Sequence, residues 1–219
     1  MLRRFALNWF DPMTNDKWAN AQKMWDERFA RADPVYGNEP NAFLKEQAAH
    51  WKPDGRVLVP GDGYGRNGLW LAGQGFHVHT VDLSPVGVER ARTTAQAQGA
   101  HMTIECADLT RWDWPSGEFD AVASIFLHLP PEIRAAMHAS MLGALRQGGI
   151  LILEAFTPAQ LQYSSGGPKQ VELLYTAEIL RHDFASAAPV ELAEEIVDLH
   201  EGPMHSGPGA VVRAVFRVS

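Results

Sequence analysis

A short apolar run that ends in four glycines is the feature of this sequence that most constrains its fold. Residues 57–59 have the composition of a strand buried on both faces, and glycines follow at positions 61, 63, 65 and 68. The apolar segment 69–72 then predicts a helix, so the glycines lie at a strand-to-helix turn. Glycine permits positive φ and close approach of a ligand, and a new helix presents unpaired N–H groups. The stretch therefore predicts a nucleotide-binding turn.

Strand-like and helix-like segments alternate after this turn, and the order predicts an α/β fold with a doubly wound, mostly parallel sheet of seven strands. Helices at 16–31 and 41–50, the second capped by Asn41, are expected to form a cap before the sheet. The last two strands are separated by turn residues and are expected to pair antiparallel. Strands are predicted at 56–60, 76–81, 101–105, 119–125, 149–156, 191–199 and 210–218, and helices at 66–73, 85–98, 131–146 and 176–184, with a short helix in the loop after the third strand.

Composition narrows the possible partners. The 219 residues carry a formal net charge of −7 and no run of Lys and Arg, which disfavours nucleic acid. Cys106 is the single cysteine, so no internal disulfide forms, and no segment approaches the ~20 apolar residues of a membrane span. We expect a flexible tail at 1–15 and one domain at 16–219. We also expect a cytoplasmic monomer or homodimer that acts on a small molecule, with no membrane or nucleic-acid partner.

Two interpretations of the glycines compete. Gly63, Gly65 and Gly68 satisfy G-x-G-x-x-G, and Asp82 follows about 20 residues later, as in a dinucleotide site. However, Gly61 already occupies the place directly after the strand, and the chain has no room for a second substrate-binding unit. An NAD(P)-dependent oxidoreductase is therefore the alternative function.

Taken from Gly61, the turn Gly61-x-Gly63-x-Gly65 resembles motif I of the class I S-adenosylmethionine-dependent methyltransferases. The resemblance covers about 57–156, including the stretches 81–84, 106–109, 119–130 and 145–154. Within that superfamily, Gly65-Arg66-Asn67 and the segment 25–41 are most similar to small bacterial tellurite-resistance and thiopurine-type methyltransferases. The resemblance implies S-adenosylmethionine as cofactor and a small-molecule acceptor with a sulfur, selenium, tellurium, nitrogen or oxygen nucleophile. A methyltransferase acting on RNA or protein is a further alternative, which the acidic charge disfavours.

The same resemblance implies roles for individual residues. Asp82 takes the ribose hydroxyls, since a carboxylate accepts two such bonds, and Asp108 accepts from the adenine amine. Val59 stands where the family has an acid, and Asp62 is expected to contact the cofactor's amino group instead, unless it is a solvated turn aspartate. Asn67 holds the cofactor carboxylate or caps its helix. The full expected cofactor set is Tyr36, Gly61, Asp62, Gly63, Gly65, Asn67, Asp82, Leu83, Asp108, Leu109, Ser124 and Phe126.

Methyl transfer depends on alignment and exclusion of water, and it needs a general base only when the nucleophile arrives protonated. The catalytic candidates are His128, Glu154 and His205. For His128 the alternative is that it helps to start the helix at 130–131 or packs in a loop. For Glu154 the alternative is a structural pair with an arginine or a backbone turn, and for His205 it is an exposed turn position. Tyr36 and the glycine-rich stretch 166–168 are expected to form a lid, with simple packing as the alternative for Tyr36. His77 and His79 have no third ligand nearby, so no metal site is predicted.

Overall fold

The computed structural model describes residues 12–219, with side chains from Asn20 onward. Two helices precede the sheet, α1 (Pro12–Phe29) and α2 (Ala42–Ala48). Asn41 caps α2 as predicted, because its Oδ1 accepts from the Leu44 N–H at 2.9 Å. The expected tail falls largely on residues 1–11, which lie outside the described part of the chain, and α1 begins before the predicted residue 16.

The predicted alternation of strands and helices is confirmed. The short helix expected after the third strand is wrong, because residues 107–118 form only turns and bends. Asp108 Oδ1 accepts from the backbone N–H of Thr110 at 2.9 Å, and this local bond competes with a helix. The elements are β1 (Arg56–Pro60), α3 (Arg66–Gly73), β2 (His77–Asp82), α4 (Pro85–Gln98), β3 (Met102–Cys106), β4 (Phe119–Ile125), α5 (Pro131–Ala144), β5 (Leu145–Phe156), α6 (Ala177–Asp183), β6 (Ala188–His200) and β7 (Ser206–Arg217), with 3-10 turns at Pro158–Gln162 and Val171–Leu173.

The seven strands form one sheet in the order β3-β2-β1-β4-β5-β7-β6. The first five strands are parallel, and β7 is inserted antiparallel between β5 and β6. Since β6 is antiparallel to β7, β6 runs in the same direction as β5. The turn from β6 to β7 therefore lies at the edge of the sheet where the parallel strands end.

From Val57 onward β1 is buried on both faces, as the apolar run at 57–59 predicted. Val57 and Val59 belong to a core cluster with α2 and α3, whereas Leu58 belongs to the cluster with α5 and α6. The helices thus cover both faces of the sheet, and ligands of such sheets bind at the carboxyl ends of the strands. No helix within residues 12–219 is long and apolar enough to cross a membrane.

Candidate active site

The glycine turn lies between β1 and α3 in the predicted conformation. Gly61, Gly63 and Gly65 have φ of 71°, 60° and 86°. A β carbon on Gly61 would lie 2.9 Å from Leu127 Cδ1, and one on Gly63 would lie 2.6 Å from Phe29 Cζ. Positive φ and these close approaches both require glycine.

Asp62, inside this turn, is buried. Its Oδ2 accepts from the Gly68 N–H at 2.9 Å, whereas Oδ1 has no hydrogen-bond partner among the described residues. Burial raises the pKa of Asp62 to about 7, although the Gly68 bond and Arg66 oppose the shift. Asp62 is only 8% exposed, which excludes the alternative of a solvated turn aspartate. An unpaired buried carboxylate oxygen at this position fits an ammonium group.

Two further acids lie at the ends of neighbouring strands. Asp82 Oδ2 accepts from the Gly63 N–H and Oδ1 from the Ser84 N–H, both at 2.8 Å. Each oxygen keeps a second lone pair, so the carboxylate still has capacity for ligand hydroxyls. Asp108 follows β3, and its Oδ1 accepts from the Thr110 hydroxyl at 2.7 Å. Leu83 and Leu109, each next to one of these acids, are half-buried.

Asn67 does not cap its helix, which was one of the two roles expected for it. No side-chain bond caps α3, which begins after Gly65. Instead, Asn67 Oδ1 accepts from the backbone N–H of Asn41 at 2.9 Å, and the side chain is buried. The residue holds the segment before α2 against the start of α3.

The end of β4 carries an unpaired hydroxyl and a strained residue. Ser124 is 1% exposed, and its Oγ has no hydrogen-bond partner in the part of the chain that the structure describes. Phe126 has φ of 51°, a left-handed conformation that is an outlier for a bulky residue. Such strain is concentrated at functional sites. The Phe126 ring stacks on Phe156 with centroids 4.6 Å apart.

Both ring nitrogens of His128, which follows β4, are hydrogen-bonded to backbone groups. Its Nδ1–H donates to the Leu173 carbonyl at 2.7 Å, and its Nε2 accepts from the Phe156 N–H at 3.3 Å. These partners assign the neutral tautomer with the proton on Nδ1. Burial lowers the pKa of His128 to about 4. The loop-packing alternative matches this placement.

Glu154 forms an ion pair with an arginine, which is the structural alternative to a catalytic role that the sequence left open. Its Oε1 accepts from Arg213 Nε at 2.7 Å, and its Oε2 accepts from the Asn41 amide. Burial raises the pKa of Glu154, and Arg213 opposes that rise. Both oxygens are thus engaged with structural partners.

His205 is buried, so its interpretation as an exposed turn residue is wrong. The side chain is 6% exposed, because the turn from β6 to β7 folds over the ends of β4 and β5. Its ring lies 4.7 Å from Tyr36, 4.6 Å from Phe126 and 5.3 Å from Phe156, measured between centroids. We call Tyr36, Phe126, Phe156 and His205 the aromatic box.

The polar surroundings of His205 leave one nitrogen unpaired. His205 Nδ1 lies 3.9 Å from Glu201 Oε2, too far for a hydrogen bond, and has no other partner among the described residues. Burial lowers the pKa of His205, and Glu201 opposes the shift. The buried imidazole is therefore a free polar group beside aromatic walls.

Sequence reasoning missed a buried ion pair beside the box. Arg66 Nη2 donates to Glu201 Oε2 at 2.6 Å, and both side chains are 7% exposed. Burial alone raises the pKa of Glu201, but the neighbouring His205 and the charge and hydrogen bond of Arg66 outweigh it and hold the pKa at about 2. The two residues are 135 positions apart, so no local pattern indicates the pair.

Both predicted lid segments reach the aromatic box. The hydroxyl of Tyr36 accepts from Arg28 Nη1 at 3.0 Å. A β carbon on Gly166 would lie 2.7 Å from His205 Cδ2, and one on Gly167 would lie 2.9 Å from Phe156 Cδ2. No group of three or more potential metal ligands lies within the described residues.

Comparison with known proteins agrees with this geometry. Residues 57–149 match the family model described as a methyltransferase domain. A probable thiol methyltransferase 2 of Arabidopsis thaliana is 30% identical over 120 residues, which cover 53% of this chain and 51% of the relative. A thiopurine S-methyltransferase of Gluconobacter oxydans (strain 621H) is 39% identical over 70 residues, covering 30% of this chain and 31% of the relative. The chain thus matches about half or less of the length of these relatives.

A solved structure extends the likeness of the fold. TehB from Haemophilus influenzae superimposes with a TM-score of 0.68 at 18% identity, covering 82% of this chain and 62% of TehB. At this identity the superposition shows that the two chains share a fold, and the expected resemblance to thiopurine-type and tellurite-resistance methyltransferases agrees with it. Together, the motif order, the sheet order and the match over residues 57–149 show that this part of the chain is similar to the class I S-adenosylmethionine-dependent methyltransferases.

Proposed function

We propose that the protein transfers the methyl group of S-adenosylmethionine to the sulfur of a small thiol. When bound, this cofactor supplies an electrophilic methyl group on a positively charged sulfur. The residues present fit the cofactor, because buried polar atoms at the strand ends lack partners within the described structure, among them Asp62 Oδ1 and Ser124 Oγ. A buried polar group without a hydrogen bond is costly, so a ligand that supplies one binds favourably there.

The proposed cofactor contacts follow from what each residue offers. Asp62 receives the amino group, Asp82 the ribose hydroxyls, and Asp108 the adenine amine. The glycine turn supplies backbone N–H groups and space for close approach. The remaining residues of the proposed cofactor surface are Tyr36, Gly61, Gly63, Gly65, Asn67, Leu83, Leu109, Ser124 and Phe126.

The engaged state of His128 and Glu154 supports the proposal of a thiol, since of the three catalytic candidates only His205 keeps an unpaired ring nitrogen within the described structure. The pKa of His128 is lowered to about 4 by burial, and Glu154 is paired with Arg213, so neither is poised to remove a proton near neutral pH. A thiol ionises far more readily than an alcohol, so a fraction is already thiolate near neutral pH, and this thiolate needs no base. The relatives named for thiol and thiopurine methylation support the same acceptor class.

Within this proposal the aromatic box receives the acceptor. Phe126 and Phe156 exclude water from the reacting atoms, and His205 Nδ1 is the free polar contact for the acceptor. Walls of this kind align the nucleophile with the methyl group, and such alignment accounts for much of the acceleration of a displacement reaction. His128 and Glu154 then act by holding the end of β4 and the end of β5.

Calorimetric titration with S-adenosylmethionine and with NADH tests the cofactor. We expect binding of S-adenosylmethionine, and binding of NADH alone would overturn the proposal in favour of an oxidoreductase. A panel of small and heteroaromatic thiols, selenite, tellurite, amines and phenols, with release of S-adenosylhomocysteine as readout, tests the acceptor. Turnover of amines or phenols without thiols would refute the acceptor class. Salt-sensitive binding of tRNA would favour the RNA alternative.

A further inference from the structure

One segment joins the glycine turn to the aromatic box. We call residues 35–41 the strap and residues 201–205 the return turn. Tyr64, between Gly63 and Gly65, holds the strap with its hydroxyl. That hydroxyl donates to the Gly37 carbonyl at 2.7 Å and accepts from the Tyr36 N–H at 3.1 Å.

A second side chain of the turn holds the strap further along. Arg66 Nη1 donates to the Glu39 carbonyl at 3.0 Å, while Nη2 of the same guanidinium binds Glu201. The guanidinium thus spans the strap and the return turn at once, which its planar fork of donors permits and a lysine would not.

The strap also packs directly on the return turn. The Met204 N–H donates to the Val35 carbonyl at 3.0 Å, and Asn41 Nδ2 donates to Glu201 Oε1 at 2.7 Å. A β carbon on Gly202 would overlap the backbone nitrogen of Gly37, so the two backbones are in contact. This contact brings the Tyr36 ring against His205, which closes the aromatic box.

We infer that Tyr64 and Arg66 are positioning residues that couple occupation of the glycine turn to closure of the acceptor pocket. The inference rests on the proposed function, because it takes the turn as the cofactor site. A ligand that orders the turn also orders these two side chains, and they fix the strap and the return turn. Coupling between two binding sites is reciprocal, so the acceptor strengthens cofactor binding by the same factor.

Hydrogen exchange measured on the whole chain tests the coupling without turnover. S-adenosylhomocysteine is expected to slow exchange of backbone amides in both the strap and the return turn, because local opening is suppressed. In Tyr64→Phe, the same ligand still binds, but the return turn loses its added protection. Arg66→Lys, which keeps the charge beside Glu201, is expected to have the same effect.

Tyr175→Phe is the matched control. The Tyr175 hydroxyl also bridges two backbone groups, accepting from the Leu129 N–H at 2.7 Å and donating to the Leu127 carbonyl at 3.3 Å, but it touches neither strap nor return turn. Its loss should cost comparable stability and leave the ligand-induced protection of the return turn intact.

The kinetic constants for the acceptor, compared with those for the cofactor, give the second readout. With S-adenosylmethionine saturating, Tyr64→Phe is expected to raise the KM for the thiol acceptor at least about fivefold, the lower range of known couplings, while the affinity for S-adenosylmethionine without acceptor changes less. Protection of the return turn that persists in both Tyr64→Phe and Arg66→Lys would overturn the inference. Bound S-adenosylhomocysteine that leaves the wild-type return turn unprotected would also overturn it. Absence of S-adenosylhomocysteine binding to the wild type would instead refute the proposed function.

Discussion

Arg213 and Glu154 are directly opposite each other across β5 and β7, and their side chains form a hydrogen-bonded ion pair with Nε and Oε1 2.7 Å apart. Breaking a buried pair leaves an uncompensated charge. We therefore predict that Glu154→Gln lowers the free energy of unfolding by about 3 kcal/mol, measured by urea denaturation, with little change in kcat per folded molecule. Glu195→Gln removes the exposed partner of Arg213 and should cost less than about 1 kcal/mol. A large loss of kcat with unchanged stability would show instead that Glu154 acts in catalysis.

The raised pKa of Asp62 predicts a pH dependence of stability. Burial raises that pKa from 3.8 to about 7, so the folded state binds more protons than the unfolded state between these values. The stability of the protein without cofactor should therefore fall as pH rises from about 4 to about 7, and then level off. Asp62→Asn should abolish this fall in stability with rising pH. It should also raise the free energy of unfolding at pH 8 by on the order of 2 kcal/mol. Urea denaturation across this pH range is the measurement, and identical profiles for both proteins would contradict it.

The same carboxylate predicts how cofactor affinity changes with pH. The ionised form of Asp62 attracts an ammonium group, so affinity for S-adenosylhomocysteine should rise through pH 7 and fall at alkaline pH, where the α-amino group of the ligand loses its proton. Asp62→Asn should bind about 10- to 100-fold more weakly and lose the acidic limb, since bonds to charged groups contribute about 1.5–3 kcal/mol. Calorimetric titration gives both quantities. Asp198→Asn, at an exposed site, is the control.

His128 is expected to leave the neutral pH–rate profile unchanged. Its imidazole is already neutral there, because burial lowers its pKa to about 4. We predict that His128→Gln reduces stability, through the lost bonds to Leu173 and Phe156, and lowers kcat by less than about tenfold, below the usual contribution of a general base. Initial rates between pH 6 and pH 9 test this. A limb near neutrality in the wild type that disappears in the variant would identify His128 as a base.

Two glycines near the β6–β7 turn offer a matched pair of variants. Gly202 and Gly207 both have positive φ, of 83° and 91°, so alanine strains the backbone similarly at each. Only at Gly202 does the new β carbon meet another segment, because nothing lies within 4 Å of one at Gly207. Gly202→Ala should therefore raise the acceptor KM about tenfold or more relative to Gly207→Ala, since misplacement of about 1 Å costs up to about 100-fold. Equal KM values would show that contact between Gly37 and Gly202 does not shape the site.

The parts of the structure predicted from sequence are those specified by neighbours in the chain. The strand at 56–60, the helix at 66–73 and the cap at Asn41 follow from local apolar pattern, glycine geometry and side-chain chemistry. The predicted short helix failed where Asp108 binds the backbone of Thr110. The sequence also placed Asp62, Asp82 and Asp108 at strand ends, because each follows closely on a segment predicted to be a strand.

The polar network around the aromatic box was not predictable in the same way. Glu201 lies in a turn rich in glycine and proline, where a charged residue is ordinarily solvated. Its burial depends on β7 being inserted between β5 and β6, which brings the turn over the carboxyl edge, and on Arg66 supplying the opposite charge. Long-range packing of this kind leaves no periodic signal in the chain.

The contact between strap and return turn constrains how new acceptor preferences are engineered. Asn41 and Glu201, which join the two segments, are 160 positions apart, so the walls of one pocket are encoded at opposite ends of the chain. Grafting either segment alone from a relative would set foreign backbone against Gly37 or Gly202. Chimeras that exchange 35–41 and 201–205 as a unit preserve that fit, and libraries for altered specificity should therefore vary both segments jointly.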